Sequence, residues 1–290
     1  MGVVLDGKAI AERIKQPLLE ERKALGHLLQ PPQLAILYFN TPASMVYWFS
    51  QQRVAGLLGI GTNHAECVDE KLASQQEVEA IITKWNTSSI VHGIFVHQPV
   101  PPQIDAQRIS ALIDPAKDVE GIHPQNSARR FFAKARIGSC TALAVMELID
   151  EALRLSGESL EGKEAVVVGH SEIVGRPVSM LLLDRLATTT VCHIGTDRAG
   201  HLEEHVRRAD VLVVAVGKPN VIKGEWIKPG ALAVIDVGIN VVDRKVVGDV
   251  EFETAKQRAR YVSPVPGGVG PVTVMMVMKN TLEAFKLQQR

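Results

Sequence analysis

The 290-residue sequence lacks an excess of charge of either sign, because lysine plus arginine and aspartate plus glutamate each number 32. A protein that holds nucleic acid or an anionic membrane by its overall field needs net positive charge. We therefore expect neither nucleic acid nor a membrane as a partner. The charge balance still allows a local basic site for a phosphate group.

Cysteine is also scarce, since Cys67, Cys140 and Cys192 lie far apart and have no metal-ligand spacing. This pattern predicts free thiols in a reducing compartment and no metal site. No run approaches the ~20 apolar residues of a membrane-spanning helix. The opening MGVVLDGKAIAERIK has no apolar core typical of a signal peptide. We therefore expect a cytoplasmic protein.

Helix-like and strand-like patterns alternate along a chain that is 46% hydrophobic and 22% charged, as in globular proteins. Such alternation predicts an α/β fold with a largely parallel sheet. QLAILYF (33–39) is typical of a buried strand, ASMVYWFSQQRVAGLLG (43–59) of a helix, and SIVHGIFVH (89–97) of the next strand. The long apolar-periodic helix at 141–155 is suited to linking two domains.

The second half of the chain contains further strand patterns, which are EAVVVG (164–169), TTTVCH (188–193), ADVLVVAVG (209–217) and ALAVIDVG (231–238). We predict two α/β domains. Residues 1–138, with the C-terminal helix at 271–290, form an N-terminal substrate domain. Residues 139–270 form a Rossmann-like domain, whose ligands are expected at the carboxyl ends of the strands.

A glycine turn, VGHSEIVGRP (168–177), joins a strand to a helix. Gly169 permits a tight turn and the close approach of a pyrophosphate, and N–H groups at the helix start can bind phosphates. Because Ser171 replaces the middle glycine of G-x-G-x-x-G, the generic motif is incomplete. The turn alone fits a nucleotide site and an ordinary strand–turn–helix equally well.

The strand after this turn ends in Cys192-His193-Ile194-Gly195, without the acid that holds the ribose hydroxyl of NAD. Arg176 in the first helical turn and Arg198 in the following loop suit the 2′-phosphate of NADP. NADP is therefore the favoured cofactor, with NAD as the alternative. Both arginines also fit a role as solvated surface residues, and Asp197 in the same loop weakens the inference.

Distinctive segments occur in order along nearly the whole chain, namely KDVEGIHPQN, GHSEIVGRP, VGKPNVIKGEWIKPGA, VIDVGIN, VGDV and SPVPGGVGPVTVMMVMKNT. With them the chain resembles the bifunctional methylenetetrahydrofolate dehydrogenase/methenyltetrahydrofolate cyclohydrolase family. The resemblance implies an enzyme of one-carbon metabolism with two α/β domains. It also implies a tetrahydrofolate one-carbon derivative as substrate, NADP or NAD on the second domain, and a homodimer.

The resemblance further implies the residues of two sites. Those expected at the nucleotide are Gly169, His170, Ser171, Val174, Gly175, Arg176, Pro177, Val216, Gly217, Gly238 and Ile239. Those expected at the substrate are Ser44, Tyr47, Gln51, Glu120, Pro266, Gly267 and Gly268. The implied catalytic residues are Tyr47, Gln51, His97 and Glu120. The proline–glycine run by itself also fits a simple turn before the last helix.

Three positions of the implied substrate site depart from the family. The family has Ser-x-x-Tyr-x-x-x-Lys, whereas this chain has Ser44, Tyr47 and then Gln51 in place of the lysine. In the family the tyrosine packs on the folate and the lysine handles protons in the cyclohydrolase step. His97 replaces a glutamine, and Glu120 replaces an aspartate that grips the pterin N–H groups. Taken alone, these residues also fit an exposed helix residue, a hydrogen-bonded strand end and a loop charge.

The two family reactions make different demands on these positions. Hydride transfer from the methylene bridge leaves a delocalised cation and needs positioning more than proton exchange. Hydrolysis of the methenyl product needs general acid–base catalysis, and Gln51 has no proton to exchange near neutral pH. We therefore predict an NADP-dependent methylenetetrahydrofolate dehydrogenase whose cyclohydrolase activity is weak or lost.

Three alternatives stay open at this point. His97 could serve as the acid–base group of a bifunctional enzyme, since histidine titrates near neutral pH. The substrate could be another reduced pterin or a one-carbon adduct that is not a folate. The chain could also be a non-catalytic folate- or nucleotide-binding paralogue.

Overall fold

The computed structural model describes residues 1–25, 30–132 and 135–289. The strands are β1 (Val3–Val4), β2 (Gln33–Phe39), β3 (Gly61–Val68), β4 (Gly93–Val96), β5 (Glu164–Val168), β6 (Thr188–Cys192), β7 (Val211–Val214), β8 (Ala233–Asp236), β9 (Asn240–Val242), β10 (Lys245–Val247) and β11 (Tyr261–Val262). The α-helices are α1 (Gly7–Ala24), α2 (Pro42–Leu57), α3 (Gln75–Thr87), α4 (Ala106–Leu112), α5 (Pro124–Phe131), α6 (Cys140–Ser156), α7 (Gly175–Leu183), α8 (Ile194–Arg198), α9 (Leu202–Arg208), α10 (Phe252–Arg258) and α11 (Val269–Gln288).

The chain divides into two compact units, each built from two segments. Unit 1 comprises Met1–Arg13 and Thr141–Thr273, and unit 2 comprises Ile14–Cys140 and Val274–Arg290. The predicted two-domain α/β architecture is confirmed. The segment Met1–Arg13 differs from the predicted boundaries, because β1 pairs in parallel with β11 and so extends the sheet of unit 1.

The sheet of unit 1 is parallel throughout, with the strand order β1-β11-β8-β7-β5-β6. Its central strands β7 and β8 are buried along their whole length, as expected for a parallel sheet covered on both faces. Val168 pairs with Cys192 on one side and with Val214 on the other, and Val214 pairs with Asp236. The carboxyl ends of these strands therefore meet along one edge.

Unit 2 contains a smaller parallel sheet with the order β3-β2-β4. The apolar run of β2 is buried from Leu34 to Leu37, which explains why its sequence carries no polar alternation. Helix α3 packs Val78, Ile82 and Trp85 into the core of this unit. Its N-terminus is capped by Ser74, whose hydroxyl accepts the Glu77 N–H at 3.1 Å.

Most of helix α11 belongs to unit 2, where it fixes the backbone around α5. The Asn280 side-chain amide donates to the carbonyl oxygens of Val119 and Gly138, both at 2.8 Å. Near its end, the Gln288 amide donates to the His92 carbonyl oxygen at 2.7 Å. Within the described part of the chain, no helix combines the length and apolarity needed to cross a membrane.

Candidate active site

Helix α2 carries three of the residues expected at the substrate. Its first turn is capped by the Thr41 hydroxyl, which accepts the Ser44 N–H at 3.2 Å. Ser44, Tyr47 and Gln51 follow at intervals of three and four residues, so they share one helix face. Gln51 is completely buried, so its interpretation as an exposed helix residue is wrong.

A chain of hydrogen bonds joins this helix face to the end of β4. The Phe39 N–H donates to the Ser44 hydroxyl oxygen at 3.2 Å. The same oxygen lies 2.7 Å from His97 Nδ1, and His97 Nε2 lies 2.8 Å from Gln51 Oε1. Both ring nitrogens of His97 therefore have uncharged partners. Because Gln51 Oε1 can only accept, His97 Nε2 carries a proton.

His97 is held in its neutral form by its surroundings. The side chain is buried, and burial lowers the pKa of His97 to about 4. Aromatic rings surround the imidazole, with the ring centroids of Tyr47 at 5.1 Å, Phe95 at 5.6 Å and Tyr38 at 5.9 Å. At neutral pH this histidine is an uncharged hydrogen-bonding group.

The second half of the Gln51 amide has no such partner. Its Oε1 atom is used by His97, whereas its Nε2 atom is buried and has no hydrogen-bond partner among the described residues. Buried amide groups in proteins are normally paired. An unused donor therefore lies next to the residues expected to hold substrate.

Glu120 is a buried carboxyl group with few hydrogen bonds to offset the cost of its burial. Its one hydrogen bond among the described residues is from the Val96 N–H, at 3.4 Å. Burial, reinforced by the neighbouring Asp118, raises the pKa of Glu120 to about 8. Burial likewise raises the pKa of Tyr47, and unfavourable electrostatic interactions with Cys140 and Glu120 add to the rise.

Asp118 shows how the same loop treats a structural carboxylate. It accepts hydrogen bonds from the Gly121 N–H, the His123 N–H and the Asn126 side chain, at 2.9 to 3.0 Å. It is fully buried and shapes the turn that carries Glu120. Asp118 occurs in one of the motifs of the resemblance, but no local pattern in the sequence assigned it this role.

Lys117 and Cys140 were also missed by sequence reasoning. The Lys117 ammonium donates to the carbonyl oxygens of Trp85, Asn86 and Ser88, which end helix α3. Its charge is therefore used to fix the loop and not to contact Glu120. The Cys140 thiol donates to the Val119 carbonyl oxygen at 3.1 Å, and burial raises its pKa, so it is not a thiolate nucleophile.

The predicted nucleotide turn of unit 1 is built on backbone contacts that only glycine allows. At Gly169, φ is +120°, and a Cβ atom would lie 2.2 Å from the Ala215 carbonyl oxygen. A Cβ atom at Gly175 would lie 2.1 Å from the Gly169 oxygen. The Ser171 hydroxyl accepts the Val174 and Gly175 N–H groups, at 3.1 and 3.4 Å. Ser171 thus fixes the turn that leads into α7, which begins at Gly175.

Two buried aspartates organise the other loops at this sheet edge, and sequence reasoning assigned neither of them a role. Asp249 accepts the N–H groups of Val216, Gly217 and Lys218 at 2.7 to 2.9 Å, and the Asn240 side chain at 2.8 Å. Asp236 accepts three more backbone N–H groups, from Gly238, Asp249 and Val250. Burial raises the pKa of Asp236 to about 6. Val216, Gly217 and Gly238, expected at the nucleotide, are therefore held by these carboxylates.

Several side chains around the predicted nucleotide turn are exposed. Arg176 pairs with Glu172 at 3.3 Å, and 60% of the Arg176 side chain is accessible. His193 follows β6 and caps α8 by accepting the Gly195 N–H, and its ring lies 5.2 Å from that of His170. Ile239 is also exposed, with 72% of its surface accessible. The residue that follows β6 is thus His193 and not an acidic residue.

The proline–glycine loop expected at the substrate lies in unit 1. The Gly267 carbonyl oxygen accepts the Gly7 N–H at 2.9 Å. A Cβ atom at Gly7 would lie 1.8 Å from the Gly268 oxygen, so the loop packs tightly on the start of α1. The described residues contain no group of three or more histidine, cysteine, aspartate or glutamate side chains placed to hold a metal ion.

Comparison with known proteins agrees with both units. Residues 5–120 match the family model for the catalytic domain of tetrahydrofolate dehydrogenase/cyclohydrolase, and residues 139–289 match its NAD(P)-binding domain. The Bifunctional protein FolD of Halothermothrix orenii is 45% identical, with 99% of each chain covered.

Two solved structures are similar over nearly their whole length. The bifunctional FolD enzyme of Campylobacter jejuni has a TM-score of 0.90 and 37% identity, with 99% of each chain covered. The Trypanosoma brucei dehydrogenase-cyclohydrolase, solved with NADP and an inhibitor, has the same TM-score and identity, covering 100% of this chain and 99% of its own. The predicted enzyme family and its nicotinamide nucleotide cofactor are confirmed, and the chain belongs to the tetrahydrofolate dehydrogenase/cyclohydrolase family.

Proposed function

We propose that this chain is an NADP-dependent 5,10-methylenetetrahydrofolate dehydrogenase with weak or no methenyltetrahydrofolate cyclohydrolase activity. The observation that carries the proposal is the pair formed by Gln51 and His97. An amide and a neutral imidazole, 2.8 Å apart, occupy the place where the family resemblance expects a lysine and its glutamine neighbour.

The dehydrogenase step asks little proton chemistry of these residues. The bound nicotinamide supplies the hydride acceptor, and the protein supplies position and field. Tyr47 offers an aromatic face to the pterin, and Glu120 offers its carboxyl group as an acceptor for the pterin N–H groups. Both side chains lie in unit 2 around the end of β4, which supports substrate binding there.

The glycine turn and the loops held by Asp249 fit a dinucleotide at unit 1. Gly169 and Gly175 keep the backbone free of side chains where a pyrophosphate has to approach. Asp249 holds three consecutive residues, Val216 to Lys218, at the carboxyl end of β7. In doubly wound sheets, ligands bind beyond this edge.

The cyclohydrolase step requires a group that exchanges protons near neutral pH. Gln51 has none, and a His97 pKa of about 4 leaves about one molecule in a thousand protonated at pH 7. Loss of a general acid–base group typically lowers a rate by about 10²- to 10⁴-fold. The low pKa of His97 therefore disfavours the alternative in which His97 restores the second activity.

The decisive experiment follows the absorbance of methenyltetrahydrofolate with and without enzyme, in parallel with NADP reduction on methylenetetrahydrofolate. We expect NADP reduction and no acceleration of methenyl decay over buffer. Hydrolysis that the wild type accelerates and His97→Ala abolishes would make His97 the acid–base group. Absence of nicotinamide reduction with either NADP or NAD would instead favour a binding paralogue or a different substrate.

The preference for NADP rests on Arg176 and on the missing acid after β6. We expect Arg176→Ala to weaken NADP binding about tenfold or more and NAD binding less than about twofold, since a charge-assisted phosphate contact contributes ~1.5–3 kcal/mol. Calorimetric titration of both nucleotides measures this difference. Arg185→Ala is a matched control, because Arg185 is a similarly exposed arginine of unit 1 paired with Asp150. Equal weakening of both nucleotides would contradict the assignment.

A further inference from the structure

The unpaired amide group of Gln51 is the starting point. Gln51 has 0% exposure, and its Nε2 atom has no partner among the described residues although Oε1 is hydrogen-bonded. Leaving a buried donor unsatisfied costs about 1–3 kcal/mol, so such groups persist where something else satisfies them. Gln51 shares its helix face with Tyr47, in the site proposed for the reduced pterin.

The orientation of this amide is set by its hydrogen-bonded neighbours, Ser44 and His97. The Phe39 N–H can only donate, and it donates to the Ser44 hydroxyl oxygen. His97 Nδ1, at 2.7 Å, is the acceptor that the described residues offer to the Ser44 proton. The imidazole proton then lies on Nε2 and donates to Gln51 Oε1, as its 2.8 Å separation requires.

We propose that Ser44 and His97 are positioning residues that lock the Gln51 side chain with its N–H group toward the bound reduced pterin, where it donates to a hydrogen-bond acceptor of the ligand. The inference rests on the proposed function for the identity of the ligand. It assigns Gln51 the ligand contact, and it assigns His97 and Ser44 indirect roles.

Two atoms of a reduced pterin could be the acceptor. One is the ring carbonyl oxygen, which keeps its lone pairs throughout the reaction. The other is a nitrogen of the one-carbon bridge, whose lone pair is drawn into the cation when hydride leaves. Binding of tetrahydrofolate and of methenyltetrahydrofolate to the same variants distinguishes them, because only the carbonyl contact survives in both ligands.

The experiment measures the dissociation constant of tetrahydrofolate, without nucleotide, by tryptophan fluorescence. We expect Gln51→Met to weaken binding about tenfold or more, and Ser44→Ala and His97→Phe to weaken it several-fold. His97→Gln retains an N–H donor toward Gln51 Oε1 and should bind within about twofold of wild type. Circular dichroism identifies any variant that fails to fold. Wild-type affinity in Gln51→Met, or no rescue by His97→Gln relative to His97→Phe, would overturn the proposal.

A second measurement does not depend on any ligand. Histidine ¹⁵N NMR of the free protein at pH 7, with His97 assigned through His97→Gln, should show protonated Nε2 and unprotonated Nδ1. Ser44→Ala should increase the population protonated at Nδ1. The opposite tautomer in the wild type would overturn the proposal. Neither readout requires turnover, so a failure of the dehydrogenase assignment would be seen separately, in the NADP-reduction assay.

Discussion

The buried aspartates at the sheet edge of unit 1 and the buried Glu120 of unit 2 differ in how many hydrogen bonds they accept. In unit 1, Asp249 accepts three backbone N–H groups and one side-chain amide, and Asp236 accepts three backbone N–H groups. In unit 2, Glu120 is also buried, but from the described residues it accepts one long hydrogen bond. Desolvation is the main cause of the raised pKa at both Asp236 and Glu120, and the larger rise is at Glu120.

The contrast distinguishes carboxylates that stabilise the fold from a carboxyl group that remains available to bind a ligand. A carboxylate surrounded by backbone donors fixes loops, and its removal leaves those donors buried and unsatisfied. A buried carboxyl group with few donors contributes little to folding and retains its capacity to accept. We therefore expect substitution of the first kind to lower the stability of the fold, and substitution of the second kind to lower the affinity for the ligand.

The largest expected effect is on folding, at Asp249. Asp249→Ala removes the acceptor of three backbone N–H groups, so the free energy of unfolding should fall by at least about 3 kcal/mol. Urea unfolding followed by circular dichroism measures the loss. Glu172→Ala, at an exposed carboxylate of the same unit, should change stability by less than about 0.5 kcal/mol. A similar small change at Asp249 would break the comparison.

The next effect is on binding, at Glu120. Glu120→Gln keeps the size of the side chain and cannot ionise, so at neutral pH the variant should be at least as stable as wild type, whereas its tetrahydrofolate affinity should fall about tenfold or more. Asp118→Asn is the matched control in the same loop. It should lower stability, because Asp118 accepts three hydrogen bonds. Unchanged affinity in Glu120→Gln would remove Glu120 from the substrate site.

The smallest effect is a pH dependence of stability. Because the folded-state pKa of Glu120 is about 8, the native state binds more protons than the unfolded state above the unfolded pKa. Its contribution therefore falls as pH rises to about 8, by at most ~1.4 kcal/mol per pH unit. The folded-state pKa is about 6 for Asp236 and is depressed to about 4 for His97. The contributions of these two groups to the pH dependence of stability are therefore nearly constant above neutral pH.

The window from pH 7 to 8 thus isolates Glu120. Unfolding of wild type and Glu120→Gln should be compared at half-unit intervals across this range. The wild type should lose stability relative to the variant as pH rises. Parallel curves would show that Glu120 is ionised, and already compensated, in the free protein.

Sequence patterns predicted the elements whose burial is uniform. Strand β2 matches its predicted range because a buried parallel strand is a continuous apolar run. Strand β3 was not predicted, since GTNHAECV is mostly half-exposed and its conformation comes from pairing with β2. The strand predicted at 89–97 is confined to Gly93–Val96 in the structure.

The chemistry of the site was less accessible to sequence reasoning. Gln51 and His97 are 46 residues apart, and the family resemblance grouped them where no local pattern could. The hydrogen bond between them, and which of the two side chains donates it, could not be predicted from the sequence and is seen only in the structure. Asp249 lies 31 to 33 residues from the N–H groups it accepts, so its role is a tertiary contact without a local signal.

The two-segment construction of each unit limits how this protein can be cut. A fragment of residues 139–289 would keep α11, whose Leu282 and Phe285 are buried in unit 2, but would lose partners such as His92. The same fragment would lack β1 and uncover the β11 edge of its sheet. Exposed apolar helix surface and an unpaired strand both favour aggregation. We therefore expect that a chain from which one unit is deleted or exchanged will not fold, whereas point substitutions can be used to study each activity.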